Sequence, residues 1–130
     1  MEYEKNTVEV RTLKKNGYII IDEEPCRILS ITTSKPGKHG EAKARLDAMG
    51  LFDNQKRSIV HPVKHKVQVP IVDKRQGQVI SIMGETLQVM DLANYETFEL
   101  FVPQEGTERL EPGKEIQYIV SMGKRKITRI

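Results

Sequence analysis

Apolar positions in this chain recur in short runs with a period near two, and no window sustains a 3.6-residue period over three helical turns. Thr7-Val8-Glu9-Val10 alternates, Lys15-Asn16-Gly17 reads as a turn, and Tyr18-Ile19-Ile20-Ile21 is a compact β-branched run. Asp22-Glu23-Glu24-Pro25 breaks that run. Cys26 to Thr33 resumes it, with Ile28, Ser30 and Thr32 alternating against Arg27, Leu29 and Ile31. After a loop from Ser34 to Gly40, strands are expected at Ala42 to Ala48, Arg57 to Val60 and Val67 to Val69. Five or six short strands in this space suit an SH3-like barrel.

Pro70 marks a boundary, because proline and the residue before it favour extended backbone with little slack. Beyond it, strands are expected at Gln78 to Met83, Leu87 to Asp91, Glu96 to Val102, Glu115 to Met122 and Ile127 to Ile130. The longest connection, holding Pro103, Gly106, Pro112 and Gly113, falls between the third and fourth of these. That spacing is expected of an OB-fold barrel. The fold class is therefore all-β, with residues 1–69 as an SH3-like barrel and residues 70–130 as an OB-fold domain. Each half is near the size at which an isolated core becomes marginal.

Charge changes the picture more than composition does. The net charge is only +3, but it is unevenly placed. Between Lys35 and Lys66 lie Lys38, Lys43, Arg45, Lys56, Arg57 and Lys64 as well, opposed only by Glu41, Asp47 and Asp53. From Glu85 to Glu115 the sign reverses, with Arg109 and Lys114 the only cations. A molecule with one side facing a polyanion would show such asymmetry, though scattered surface charge would also produce it. Cys26 is the single cysteine, so neither an internal disulfide nor a thiolate metal cluster is expected. No apolar run approaches the roughly 20 residues that span a bilayer, and the N-terminus does not read as a signal peptide. A cytoplasmic protein without a membrane partner is the expectation.

The densest signal is Ser34-Lys35-Pro36-Gly37-Lys38-His39-Gly40. Gly37 and Gly40 permit a sharp reversal that leaves Lys38 at the tip. An ordinary hairpin turn with solvated cations would have the same composition. A nucleotide phosphate loop is excluded, since His39 follows the lysine and Thr32 stands where the first glycine belongs. The Gly-x-x-Gly clamp of KH domains matches literally, but those loops join helices and this one joins β-branched runs. A lysine elaborated after translation and presented to a partner is a third reading, which the pattern alone does not establish over the plain hairpin turn.

The string Thr32-Thr33-Ser34-Lys35-Pro36-Gly37-Lys38-His39-Gly40 resembles the signature loop of the archaeal and eukaryotic translation factor 5A family. The resemblance extends to Asn16-Gly17-Tyr18, Pro25-Cys26, Ala42-Lys43 and Val69-Pro70. It implies an SH3-like barrel followed by an OB fold, and hypusine or deoxyhypusine at Lys38, made by deoxyhypusine synthase from spermidine. It further implies a ribosome-binding factor, acting beside the peptidyl-tRNA to promote peptide-bond formation at stalling sequences such as consecutive prolines. Pro36 and Glu41 depart from the usual eukaryotic residues and point to an archaeal member. On this reading the chain is no enzyme, needs no cofactor or metal, and is itself a substrate of the modifying enzyme. Lys35, His39, Lys43 and Arg45 are candidate contacts to RNA backbone.

Weaker features remain. His61 and His65 have a ligand-like spacing, but Pro62 opposes a helix that would present both rings together. Cys26 reads as a small buried residue, and Met83, Met90 and Met122 as core filling. Tyr95, Phe98, Phe101 and Tyr118 are the aromatics a nucleic-acid stacking platform in the second half could use, in an acidic setting that weakens that alternative.

Overall fold

The computed structural model describes residues 3–35 and 40–130. Pro36, Gly37, Lys38 and His39 therefore lie outside the described residues. The chain divides into two compact units, Met1–Ile71 and Val72–Ile130, both built of antiparallel strands.

In the first unit, β2 (Tyr18–Ile21), β3 (Glu24–Ser34), β4 (Lys43–Gly50) and β5 (Lys56–Pro62) form a four-stranded sheet in chain order. The first and last strands, β1 (Lys5–Glu9) and β6 (Lys66–Pro70), pair with each other as a separate ribbon. Alternation in β4 sends Ala44, Leu46 and Ala48 inward to meet Ile19, Cys26 and Ile28, while Lys43 and Arg45 point outward. A bulge between Ile28 and Ser30 resets the phase of β3, so that Ser30, Thr32 and Ser34 share the outer face with Asp47, Arg45 and Lys43.

The second unit is a five-stranded curled sheet in the order β11-β10-β7-β8-β9. Its strands are β7 (Asp73–Met83), β8 (Thr86–Asp91), β9 (Thr97–Phe101), β10 (Glu115–Ser121) and β11 (Lys124–Arg129). Val79, Leu87, Val89, Leu100, Ile116, Tyr118 and Ile127 form its core. Gly77 lies inside β7 because a Cβ there would meet Val89 Cγ1 at 2.7 Å and Tyr118 Cε1 at 3.3 Å. The long connection between β9 and β10 holds a 3-10 turn at Thr107–Arg109, and another 3-10 turn at Val10–Thr12 follows β1.

Three expectations need correction. The break after β2 is only Asp22-Glu23, and β3 already includes Glu24 and Pro25. Both turn residues have positive φ, 53° and 63°, a two-residue reversal without glycine. Met122 is not on a strand but forms the matching turn with Gly123 between β10 and β11. Met83 is 51% exposed, and Met90 and Met122 are half-buried, so none of the three fills the core; β-branched residues and leucines already do.

Candidate functional site

The β3–β4 hairpin carries the loop singled out in the sequence. Its last strand pair is Ser34 with Lys43, and Lys43 pairs on its other side with Pro62 of β5. The Val63 N–H donates to the Ala42 carbonyl at 3.0 Å, tying the rising limb of the hairpin to the turn after β5. The β4 limb at the root of the loop is thus held by β5 and the turn after it, while β3 meets β2 only over Glu24 to Arg27, far from Ser34. Lys35 and Gly40, the described residues nearest the tip, are exposed.

Lys43 and Arg45 stand on the same outward row of β4. Arg45 lies between Thr32 of β3 and Val60 of β5, and Lys43 lies between Ser34 and Pro62. One carboxylate interrupts this face. Asp47 accepts hydrogen bonds from Ser58 Oγ and, at 3.1 Å, from Ser30 Oγ, and Arg45 Nη2 lies 3.5 Å away. Ser58 foremost, with Ser30, Arg45 and Lys56, holds Asp47 below the usual carboxylate range. Asp47 thus engages Ser30, Ser58 and Arg45, while Lys43 stands exposed on the same face. Sequence reading found Lys43 and Arg45 but missed this clamp, because a bulge decides which serines of β3 face Asp47.

The histidines give a second correction. Although Pro62 rules out a helix, it opens a turn closed by the His65 N–H donating to the Pro62 carbonyl at 2.9 Å. The turn brings the rings of His61 and His65 into a stack with centroids 4.2 Å apart and planes 14° from parallel. Burial first, and His65 second, push the His61 imidazole below its ordinary value. Among the described residues no group of three His, Cys, Asp or Glu side chains could hold a metal ion. Cys26 is buried, and desolvation pushes its thiol up, away from nucleophilic character.

In the second unit two of the four aromatics are committed. Tyr118 is buried and donates its hydroxyl to Asp91, while Phe98 packs on Tyr118 at 5.0 Å and lies beneath the Arg125 guanidinium at 4.5 Å. Only Tyr95 and Phe101 of the four expected platform aromatics are exposed. No helix among the described residues is long and apolar enough to cross a membrane.

Two family profiles cover this architecture. One, described as translation initiation factor 5A-like, N-terminal, matches residues 4–65. The other, described as eukaryotic elongation factor 5A hypusine, DNA-binding OB fold, matches residues 71–130. The chain belongs to the translation initiation factor 5A family. It is 59% identical to translation initiation factor 5A of Archaeoglobus fulgidus over 97% of this chain and 98% of that one. It is 57% identical to the factor of Methanothermobacter thermautotrophicus over 96% of each. Among solved structures, a factor 5A from Methanococcus jannaschii superposes with a TM-score of 0.89 at 52% identity, covering 96% of this chain and 93% of that one. A factor 5A family protein from Naegleria fowleri gives 0.79 at 33% identity, covering 96% of each. The all-β reading, with an SH3-like barrel before an OB fold, holds, and the relatives are translation factors rather than enzymes.

Proposed function

We propose that this chain is a cytoplasmic, ribosome-binding factor that promotes peptide-bond formation through a hypusine or deoxyhypusine arm on Lys38. In this reading residues 1–69 present the arm, residues 70–130 form the second domain, and deoxyhypusine synthase is the modifying partner. The observation that carries it is the Ser34–Gly40 sequence, placed on a β3–β4 hairpin braced by Pro62 and Val63, in a chain of this family.

The chemistry follows from length and charge. An aminobutyl group added to the Lys38 amine lengthens an already slender side chain and gives it a second protonated nitrogen. Such an arm enters an RNA-lined cavity, contacts phosphate and sugar oxygens without reading bases, and steadies the acceptor end of a peptidyl-tRNA. The gain in rate is positional, from restricting a mobile reactant, and needs no acid, base or nucleophile from the protein. Lys43 and Arg45, with Lys35 and His39 in the loop, supply backbone contacts around the arm. Consecutive prolines, whose peptidyl-tRNA reacts slowly, are where this help shows most.

Mass spectrometry of the Lys38 peptide from native-host protein tests the modification, with an added aminobutyl group expected, hydroxylated or not. Ribosomes stalled on consecutive prolines test the mechanism: Lys38→Arg should reduce stimulated peptide formation to the factor-free rate. Unmodified Lys38 in fully active native protein would overturn the reading, as would full stimulation by Lys38→Arg.

A further inference from the structure

The outer face of β7–β8–β9 has no part in the reading above. Register places Met83, Thr86 and Phe101 in one row across the three strands, and Ser81, Gln88 and Glu99 in the next. Phe101 is 80% exposed and Met83 51%, and Ile80, in the bulge between Val79 and Ser81, is exposed as well. Glu99 lies in the middle of β9 and Glu85 in the turn before β8, both exposed. Among the described residues neither carboxylate makes an ion pair, and these two rows carry no lysine or arginine.

A single-stranded nucleic acid needs stacked aromatics along a basic track. Here one aromatic stands free, Tyr118 and Phe98 are committed elsewhere, and the fixed charge is negative. A phosphate backbone laid across the face would meet Glu99 and Glu85. A second copy of the chain docked face to face about a two-fold axis would set the same carboxylates against each other. An aromatic and a methionine beside uncompensated acids instead match a protein surface with an apolar knob among cations.

We propose that the outer face of β7–β8–β9 docks a protein segment presenting an apolar side chain between lysines or arginines, and not a nucleic acid strand. Phe101 and Met83 receive the knob; Glu99 and Glu85 select for the basic flanks and reject acidic competitors.

The test is amide chemical-shift titration of the full-length chain with three probes. These are a short peptide with a central phenylalanine between arginines, the same peptide with glutamates for arginines, and a short uridine oligoribonucleotide. The basic peptide is expected to shift the amides of Met83, Thr86 and Phe101, and the other two probes to leave them in place. Phe101→Ser, at a position too exposed to disturb the core, and Glu99→Lys should each weaken the basic peptide at least tenfold. Oligoribonucleotide shifts on these amides, tightened by Glu99→Lys, would overturn the proposal in favour of nucleic acid. Shifts that depend on protein concentration without any probe would assign the face to a second copy. Peptide binding indifferent to Phe101→Ser, or no shift with any probe, would leave no docking site here.

Discussion

The outer faces of the two sheets share a construction and differ in chemistry. Each unit has an eleven-residue strand, β3 or β7, carrying a bulge that resets its outward residues against the next strand. Each buries alternate positions of the interior strand that follows, β4 or β8: Ala44, Leu46 and Ala48 in one and Leu87, Val89 and Asp91 in the other. Outward, β3–β5 offer serine and threonine hydroxyls, Lys43 and Arg45, with their one acid clamped by Ser58 and Ser30. β7–β9 offer Met83, Phe101, and Glu99 and Glu85, which make no ion pair among the described residues. The inward half of the alternation sets the fold, and the outward half is free to differ: as proposed above, the first face takes a polyanion and the second a basic protein segment.

Carboxylates sharpen the contrast, because Asp91 is 1% exposed where Asp47 is a surface group. Asp91 receives Arg75 Nε at 2.6 Å and Nη2 at 3.2 Å, the Tyr118 hydroxyl, and the N–H groups of Ala93 at 2.7 Å and Asn94 at 3.0 Å. Removing it leaves a guanidinium, a buried hydroxyl and a turn without their acceptor. Asp91→Ala should cost the second unit about 3–5 kcal/mol, most of what a domain this small holds. Amide exchange would then show β7, β8 and β10 losing protection. A cost below about 1 kcal/mol would mean that water replaces the carboxylate.

The same network fixes the pH response. Arg75 first, and Tyr118 with the two backbone donors after it, hold Asp91 well below its unfolded value of about 3.9. Its stabilisation is therefore present above that value and lost as pH falls further. Burial and Asp91 push Tyr118 up to about 12, above its unfolded value of about 10, so its contribution is present below about 10 and lost as pH climbs toward 12. Circular dichroism of the second unit's transition should fall off at both ends, with Tyr118→Phe flattening the alkaline limb. An unchanged alkaline limb would remove Tyr118 from this linkage.

How legible these differences were depends on whether a local rule set them. Alternation and β-branched runs located every strand of both sheets, since the β-branched run Tyr18–Ile21 and the alternation of Leu87–Asp91 are local marks, but β7 begins at Asp73, five residues before the expected Gln78. Lys43 and Arg45 were visible as cations beside a conspicuous loop. The Ser30–Asp47–Ser58 clamp and the Arg75–Asp91–Tyr118 network were not, because both depend on bulge and register between residues far apart in sequence. Met83 shows the same limit. Its strand was found, but an inward or outward methionine has no local mark, and the bulge at Ile80 decided for outward.

Arg45→Glu probes the first face alone. Reversing one exposed cation should weaken ribosome binding several-fold and lower the salt slope by about one. Measured by sedimentation across a potassium chloride series, an unchanged slope would remove the β4 row from the RNA interface. Arg45 is 61% exposed, with Asp47 its neighbour at 3.5 Å.

The smallest effect separates two turns of the same kind. Ile21 pairs with Glu24 across Asp22-Glu23, and Ser121 pairs with Lys124 across Met122-Gly123. All four turn residues have positive φ, yet only the second turn has glycine, at its second position. A side chain in the left-handed region costs about 1–2 kcal/mol, part of which glycine returns as a larger entropy loss on ordering. Glu23→Gly should therefore stabilise the first unit by about 0.5 kcal/mol, and Gly123→Ala should destabilise the second by a similar amount. Glu23 is exposed, and the Arg57 Nε to Asp22 Oδ2 contact at 3.6 Å comes from its neighbour, so no packing term competes with the backbone one. Urea titrations of both variants decide the matter. Opposite shifts in midpoint mean that turn backbone alone sets these two stabilities, and shifts of the same sign mean that the side chain of Glu23 contributes in a way its exposure does not reveal.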